Sequence, residues 1–173
     1  MALPKLVLTD IDGVWTDGGM LYSENGDELK KFNTSDSAGV LFCKLLNIPV
    51  GIITGENTQI VARRAAKLKI SEVHVGIKDK FACVESILEK YKCTWSDVAY
   101  IGDDINDIKL LEKVGIAYTV NSAPEYIKSR VPNCTSKSGG EGAFREFVED
   151  ILKKEGQLEP ALEMYLSGAH LNQ

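Results

Sequence analysis

Residues Leu6-Val7-Leu8-Thr9 run apolar and β-branched, and the chain then breaks into two carboxylates one residue apart, Asp10-Ile11-Asp12-Gly13. A short unbroken apolar run bounded by a turn suits a strand buried on both faces of a parallel sheet. Alternate residues of an extended segment point the same way, so a strand ending at Asp10, with a turn at Asp12-Gly13, aims both carboxylates into one crevice. In open α/β sheets that crevice, outside the carboxyl ends of the strands, is where ligands bind. Two close carboxylates repel unless a cation or proton lies between them, which points to a hard metal such as Mg2+. Alone, Asp-x-Asp-Gly is also an ordinary polar turn; its partners downstream decide.

The 173 residues suit a single domain, and 44% hydrophobic content is ample for one core. The net charge of −5 and the absence of any long Lys/Arg cluster argue against a nucleic-acid footprint. No apolar run approaches the roughly 18 residues of a membrane span. Met1-Ala2-Leu3-Pro4-Lys5 lacks a signal-peptide layout. Cys43, Cys83, Cys93 and Cys134 are scattered and read as reduced thiols of a cytoplasmic protein. His74 and His170 share no ligand spacing, and His74, inside Val-His-Val, reads as structural.

After the acidic turn, Asn25-Gly26 between two short alternating runs signals a β-hairpin, an insertion over about residues 18–33. A lone hairpin is marginal in water, so pairing between subunits is expected. Capping residues at Asn33-Thr34-Ser35-Asp36-Ser37 lead into a helix through Val40, Leu41 and Leu45. A strand over 49–53 ends at Thr54-Gly55-Glu56-Asn57, and a helix over about 57–69 buries Val61, Ala65 and Leu68. Its other side carries Arg64 and Lys67, an i,i+3 pair that is ordinarily just solvated.

Glu72-Val73-His74-Val75-Gly76 is a third strand, followed by a helix that Lys78-Asp79-Lys80 starts. Val98-Ala99-Tyr100-Ile101-Gly102 is a fourth, running into a second acidic cluster, Asp103-Asp104-Ile105-Asn106-Asp107. A helix using Ile108, Leu111 and Val114, a strand over 115–118 and a short helix through Tyr126 and Ile127 complete the pattern. Gly139-Gly140-Glu141-Gly142 reads as a flexible loop before an amphipathic helix bearing Phe144, Phe147, Val148 and Ile151. The weakly patterned tail, 156–173, is expected to pack on a neighbour or fray. The pattern predicts an α/β fold, a Rossmann-like parallel sheet flanked by helices.

Asp10/Asp12, Thr54, Lys80 and Asp103/Asp107 then converge on one edge of the sheet. That set suits phosphoryl transfer through an aspartyl-phosphate. One carboxylate attacks phosphorus, and a metal held by acidic groups neutralises phosphate and nucleophile. A lysine and a hydroxyl bind the equatorial oxygens, and the second Asp exchanges protons with leaving group and water.

In these residues the chain resembles the haloacid dehalogenase (HAD) phosphatase superfamily along essentially its whole length. Asp10-Ile11-Asp12-Gly13 matches the first motif, which implies Asp10 as nucleophile and Asp12 as general acid/base. Thr54 matches the second motif, Lys80 the third and Gly102-Asp103-Asp104-Ile105-Asn106-Asp107 the fourth. The resemblance implies Mg2+ held by Asp10, the Asp12 main-chain carbonyl and Asp103, with Asp107 in support. Thr16-Asp17-Gly18, the hairpin and Gly139-Gly140-Glu141-Gly142-Ala143-Phe144-Arg145-Glu146 are similar to the group without a large cap domain that dephosphorylates 3-deoxy-ulosonic acid phosphates. Its members are homotetramers in which a neighbouring subunit roofs the site. Two substrates compete, 3-deoxy-D-manno-octulosonate 8-phosphate (KDO 8-phosphate), for lipopolysaccharide, and the nine-carbon 2-keto-3-deoxynononate 9-phosphate (KDN 9-phosphate), related to sialic acids. Octulosonate enzymes usually carry Arg after the Thr-Gly of the second motif and Arg-Asp in the loop before the first helix. Here stand Glu56 and Thr34-Ser35-Asp36, which point to the nine-carbon substrate. Glu56 would accept hydrogen bonds from sugar hydroxyls, with Thr34 and Ser35 beside it. Arg64 and Lys67 of a neighbouring subunit would hold the sugar carboxylate.

Two readings from other classes compete. A receiver-like signalling domain also places Asp, Thr, Lys and Mg2+ around a parallel sheet. However, a lasting phospho-Asp signal is ill served by a base two residues away. A non-catalytic HAD-like oligomerisation module would keep the fold without the chemistry, whereas here every catalytic position is intact.

Overall fold

The computed structural model describes residues 2–26 and 28–168. Six parallel strands form its centre: β1 (Leu6–Thr9), β4 (Val50–Ile53), β5 (Glu72–His74), β6 (Val98–Ile101), β7 (Ile116–Thr119) and β8 (Asn133–Cys134), in the spatial order β5-β4-β1-β6-β7-β8. Every residue of β1, β4 and β6 is buried, as their unbroken apolar runs require. The chain winds outward from β1 in both directions, so the switch point lies at β1 itself, between β4 and β6. Thr9 stands opposite Ile52 on one side and Ile101 on the other, so the three strands end within one residue of one another. Among the described residues no helix is long and apolar enough to cross a membrane.

The hairpin is present as β2 (Leu21–Tyr22) and β3 (Glu28–Leu29), an antiparallel pair separate from the main sheet. Helices α1 (Asp36–Leu45), α2 (Gln59–Lys67) and α3 (Lys80–Tyr91) follow. Thr58 caps α2 through the Ile60 N–H, and Asp79 caps α3 through the Ala82 N–H, so Lys80 opens α3 at the crevice. The helix expected to reach Val114 stops sooner. A 3-10 turn over Ile105–Asp107 precedes a four-residue α4 (Ile108–Leu111), because the Asp107 carboxylate folds back on the Asp104 N–H. Then come α5 (Glu125–Lys128), α6 (Ala143–Lys154) and α7 (Leu158–Leu166). The two-residue edge strand β8 is too short to show as a pattern in sequence.

Two expectations are corrected. Gly139–Gly142 is a packed loop: the Gly140 N–H donates to the Val14 carbonyl, and a Cβ on Gly139 would lie 1.9 Å from the Gly13 oxygen. The tail from 156 forms α7, which buries Ala161 and packs on α1 and α6 of the same chain. Residues 169–173 lie outside the described residues.

Trp15 and Phe144 stack with centroids 4.5 Å apart, joining the acidic turn to α6. Beside them Asp36, fully buried at the start of α1, accepts the Arg145 N–H from the first turn of α6 while its second oxygen has no partner. Burial pushes this carboxyl up to about 6, against the Arg145 N–H and the charges of Arg64 and Lys137. The folded chain therefore holds the Asp36 proton more tightly than the unfolded one, and stability falls as pH rises from about 4 to about 6. Asp36→Asn keeps the acceptor without the charge. It should be more stable than wild type by on the order of 1–2 kcal/mol at pH 8 and level with it at pH 4, in chemical denaturation at both pH values.

Candidate active site

Four elements deliver five side chains to the carboxyl end of the sheet. Asp10 follows β1, Thr54 follows β4, Lys80 opens α3 after β5, and Asp103 and Asp107 follow β6. The turn after β1 is wound tightly, the N–H groups of Val14, Trp15 and Thr16 all reaching the Ile11 carbonyl. Gly13 has φ +89°, and a Cβ there would lie 1.9 Å from an oxygen of Asp103. Only glycine lets the first acidic loop approach the second this closely.

At the bottom lies a buried ion cluster. The Lys80 ammonium is 2.9 Å from Asp10 Oδ1 and 2.7 Å from Asp107 Oδ1. Asp107 Oδ1 also accepts the Tyr100 hydroxyl at 2.5 Å, while its Oδ2 accepts the N–H groups of Asp103 and Asp104. Asp107 thus stands within the acidic cluster with both oxygens already filled, and it anchors Lys80 and the loop. Burial opposes charge on Lys80, but the two carboxylates prevail and hold it above the usual ammonium value. Asp10 is pushed up to about 7, chiefly by burial and then by the Asp107 charge, with Lys80 opposing. Asp103 is pushed up to about 8 by burial and by the charges of Asp10 and Asp107.

One lysine does not balance these acids. Asp10, Asp103 and Asp107 each offer a carboxylate oxygen within 4.8 Å of the others. Asp103 Oδ1 is buried with no hydrogen-bond partner. Converging, under-satisfied carboxylate oxygens are the donor set of a hard divalent cation, so the residues fit the Mg2+ that the motifs imply.

A cavity of about 150 Å³ opens above the cluster, lined by Asp10, Asp12, Met20, Thr54, Gly55, Glu56, Asp104 and Asn106. Larger hollows exist, such as one of about 260 Å³ beside Tyr118 and Lys154, but the converging acids lie at this smaller one. Thr54 is buried and takes the Glu56 N–H on its hydroxyl. Glu56 is exposed at the rim.

The other expected substrate groups are not among the residues that line the cavity of their own chain. Thr34 is exposed, and Ser35 Oγ faces Gly142, where a Cβ would lie 2.3 Å from it. Arg64 Nη2 donates to the Asn33 carbonyl and Ser37 Oγ, with its guanidinium over the Phe32 ring. Lys67 lines a separate groove with Ser37 and Lys44. Sequence reasoning passed over Tyr100, although a tyrosine inside a buried strand needs a hydroxyl partner. It also passed over Lys30, whose ammonium lies 2.7 Å from Asp12 Oδ1, and Met20 and Asn106 on the cavity wall.

A parallel sheet with an Asp-x-Asp turn after its central strand, a Thr just past the neighbouring strand, a Lys opening a helix and a second acidic loop defines a phosphohydrolase-type site. The haloacid dehalogenase-like hydrolases match over residues 51–146. The 3-deoxy-D-manno-octulosonate 8-phosphate phosphatase KdsC of Salmonella typhi is 37% identical over 157 residues, 91% of this chain and 84% of that one. Among solved structures, a probable yrbI family phosphatase from Pseudomonas syringae superposes with TM-score 0.90 at 38% identity, covering 94% of this chain and 93% of that one. The 3-deoxy-D-manno-octulosonate 8-phosphate phosphatase of Moraxella catarrhalis, in complex with magnesium ion, phosphate ion and KDO, gives 0.89 at 34%, with the same coverage. The chain belongs to the haloacid dehalogenase-like hydrolases. It is a phosphoric monoester hydrolase.

The carboxylate cluster makes a direct prediction. Mg2+ at about 100 times its dissociation constant should stabilise the protein by about 2.7 kcal/mol. Asp103→Asn should melt higher than wild type without metal, because it replaces a carboxyl whose ionisation burial and its acidic neighbours oppose, and should lose most of the Mg2+-induced shift. Thermal melts with and without Mg2+ check both; equal Mg2+ shifts in the two proteins would remove Asp103 from the metal set.

Proposed function

We propose that the chain hydrolyses the terminal phosphate of a 3-deoxy-ulosonic acid phosphate in two steps, through an aspartyl-phosphate on Asp10. The observation that carries this reading is the Asp10 carboxylate, held 2.9 Å from Lys80 and lining one cavity with Asp12 and Thr54. Asp10 attacks phosphorus, the bond from phosphorus to the sugar oxygen breaks, and Asp12 gives that oxygen a proton. Asp12, now a carboxylate, takes a proton from water as the water attacks the phosphoenzyme, which releases phosphate and frees Asp10. Lys80 and the Thr54 hydroxyl hold phosphoryl oxygens, with Lys80 kept charged by its two carboxylate partners. Magnesium, held by Asp10, Asp103 and the Asp12 carbonyl, would neutralise the nucleophile and the phosphate. Asp107 and Tyr100 keep Lys80 and the Asp103 loop in place.

The relatives named above support an eight-carbon substrate, KDO 8-phosphate. The nine-carbon KDN 9-phosphate, toward which the sequence pointed, is not favoured by them. It stays as a second reading on one observation, the Glu56 carboxylate at the cavity rim where an arginine is usual. At about 150 Å³ the cavity holds a phosphate and little more, so the sugar extends past Glu56. A neighbouring subunit bringing Arg64 and Lys67 would complete the site. Leu21, Tyr22 and Leu29, each more than half exposed on the hairpin, support such an assembly, with a homotetramer as the proposed state. Four free cysteines accord with a cytoplasmic setting.

Phosphate release from both sugars, compared by kcat/KM, tests the choice. The first reading predicts that KDO 8-phosphate is preferred about tenfold or more, and a clear preference for KDN 9-phosphate establishes the second. In either case Glu56→Ala should raise KM for the preferred sugar about tenfold and leave that for p-nitrophenyl phosphate nearly unchanged. Equal effects would remove Glu56 from sugar recognition.

A further inference from the structure

Lys30 follows β3, between an exposed Leu29 and an exposed Lys31, yet its own side chain is completely buried. The ammonium lies 2.7 Å from Asp12 Oδ1, 3.3 Å from Met20 Sδ and 3.8 Å from Glu28 Oε1. A buried ammonium is costly unless it is closely paired, so the Asp12 contact is what lets Lys30 sit there. The contact also bears on Asp12. Its Oδ1 receives both Lys30 and the Thr16 hydroxyl, at 2.7 and 3.3 Å, whereas Oδ2 has no hydrogen-bond partner. Two donors on one oxygen set the rotation of the carboxylate and leave the other oxygen for proton exchange.

We propose that Lys30 is a positioning residue of the reaction: from the hairpin it fixes the Asp12 carboxyl group through Oδ1, so that Oδ2, when protonated, gives its proton to the leaving oxygen. This rests on Asp12 as the general acid and adds a residue from outside the four motifs. It also gives the hairpin a part in the chemistry besides its exposed apolar face. Whatever seats β2 and β3 also seats the ammonium that orients the acid.

Phenyl phosphate and p-nitrophenyl phosphate separate this role from a merely structural one, because they share a shape and differ in leaving-group basicity. Phenolate needs the proton more than nitrophenolate, and kcat/KM reports the steps up to leaving-group departure. In Lys30→Met, with Mg2+ present, kcat/KM for phenyl phosphate should fall about tenfold further than for p-nitrophenyl phosphate, and Lys30→Arg should restore most of the difference. If Lys30→Met does not fold, Lys30→Gln against Lys30→Arg makes the same comparison. Equal losses on both substrates, or no loss, overturn the proposal. Asp12→Asn serves as the reference. If it too affects both substrates equally, the reading of Asp12 as acid fails; if it is selective and the Lys30 variants are not, only the role of Lys30 fails.

Discussion

The buried ammonium of Lys80 between the carboxylates of Asp10 and Asp107 is the contact on which the rest of the site depends. It ties the end of β1 to the start of α3 and to the loop after β6, three segments distant in the chain. Asp107 passes the constraint on, taking the Tyr100 hydroxyl and the N–H groups of Asp103 and Asp104. With Lys80 removed, two buried carboxylates would face each other with no counter-charge, and protonation or local opening would relieve them. With it in place, burial first and then the neighbouring carboxylates still hold Asp10 and Asp103 above the usual carboxylate range. A divalent cation completes the charge balance that the side chains leave open.

Around this cluster the chain is organised by close backbone approach. Gly13 admits the Asp103 carboxylate where any side chain would block it, and Gly139 presses the loop before α6 onto the Gly13 carbonyl. Trp15 against Phe144 carries the same contact into the core. The acidic turn is thereby clamped from two sides, which suits a nucleophile that must not move as charge develops. The hairpin meets this rigid base through Lys30, so a surface insertion with an exposed apolar face is joined to a carboxylate at the cavity.

What was legible in the sequence were features that are local. Apolar runs ending in polar breaks located β1, β4, β5 and β6, and the breaks themselves carried Asp10, Thr54 and Asp103. Asp79 capping α3 put Lys80 where it was expected. What could not be read depends on contacts between distant segments. Lys30 looks like any solvated hairpin lysine until Asp12 is seen beside it. Gly139–Gly142 has the composition of a flexible loop and is packed because the Gly13 turn lies against it. The tail has a weak pattern because α7 fully buries little more than Ala161. Arg64 reads as a free basic group, yet within its own chain it is bound to Asn33 and Ser37. Where these side chains stand in an assembly is a property of more than one chain.

The most direct measurement is a rapid acid quench of the Mg2+-loaded enzyme with substrate labelled at phosphorus, followed by mapping of the labelled peptide. A single phosphorylated peptide spanning Leu6–Thr16, with the label on Asp10, formed and consumed within one turnover, is the predicted result. Label on any other residue, or turnover with no covalent label on the millisecond scale, would contradict nucleophilic catalysis by Asp10.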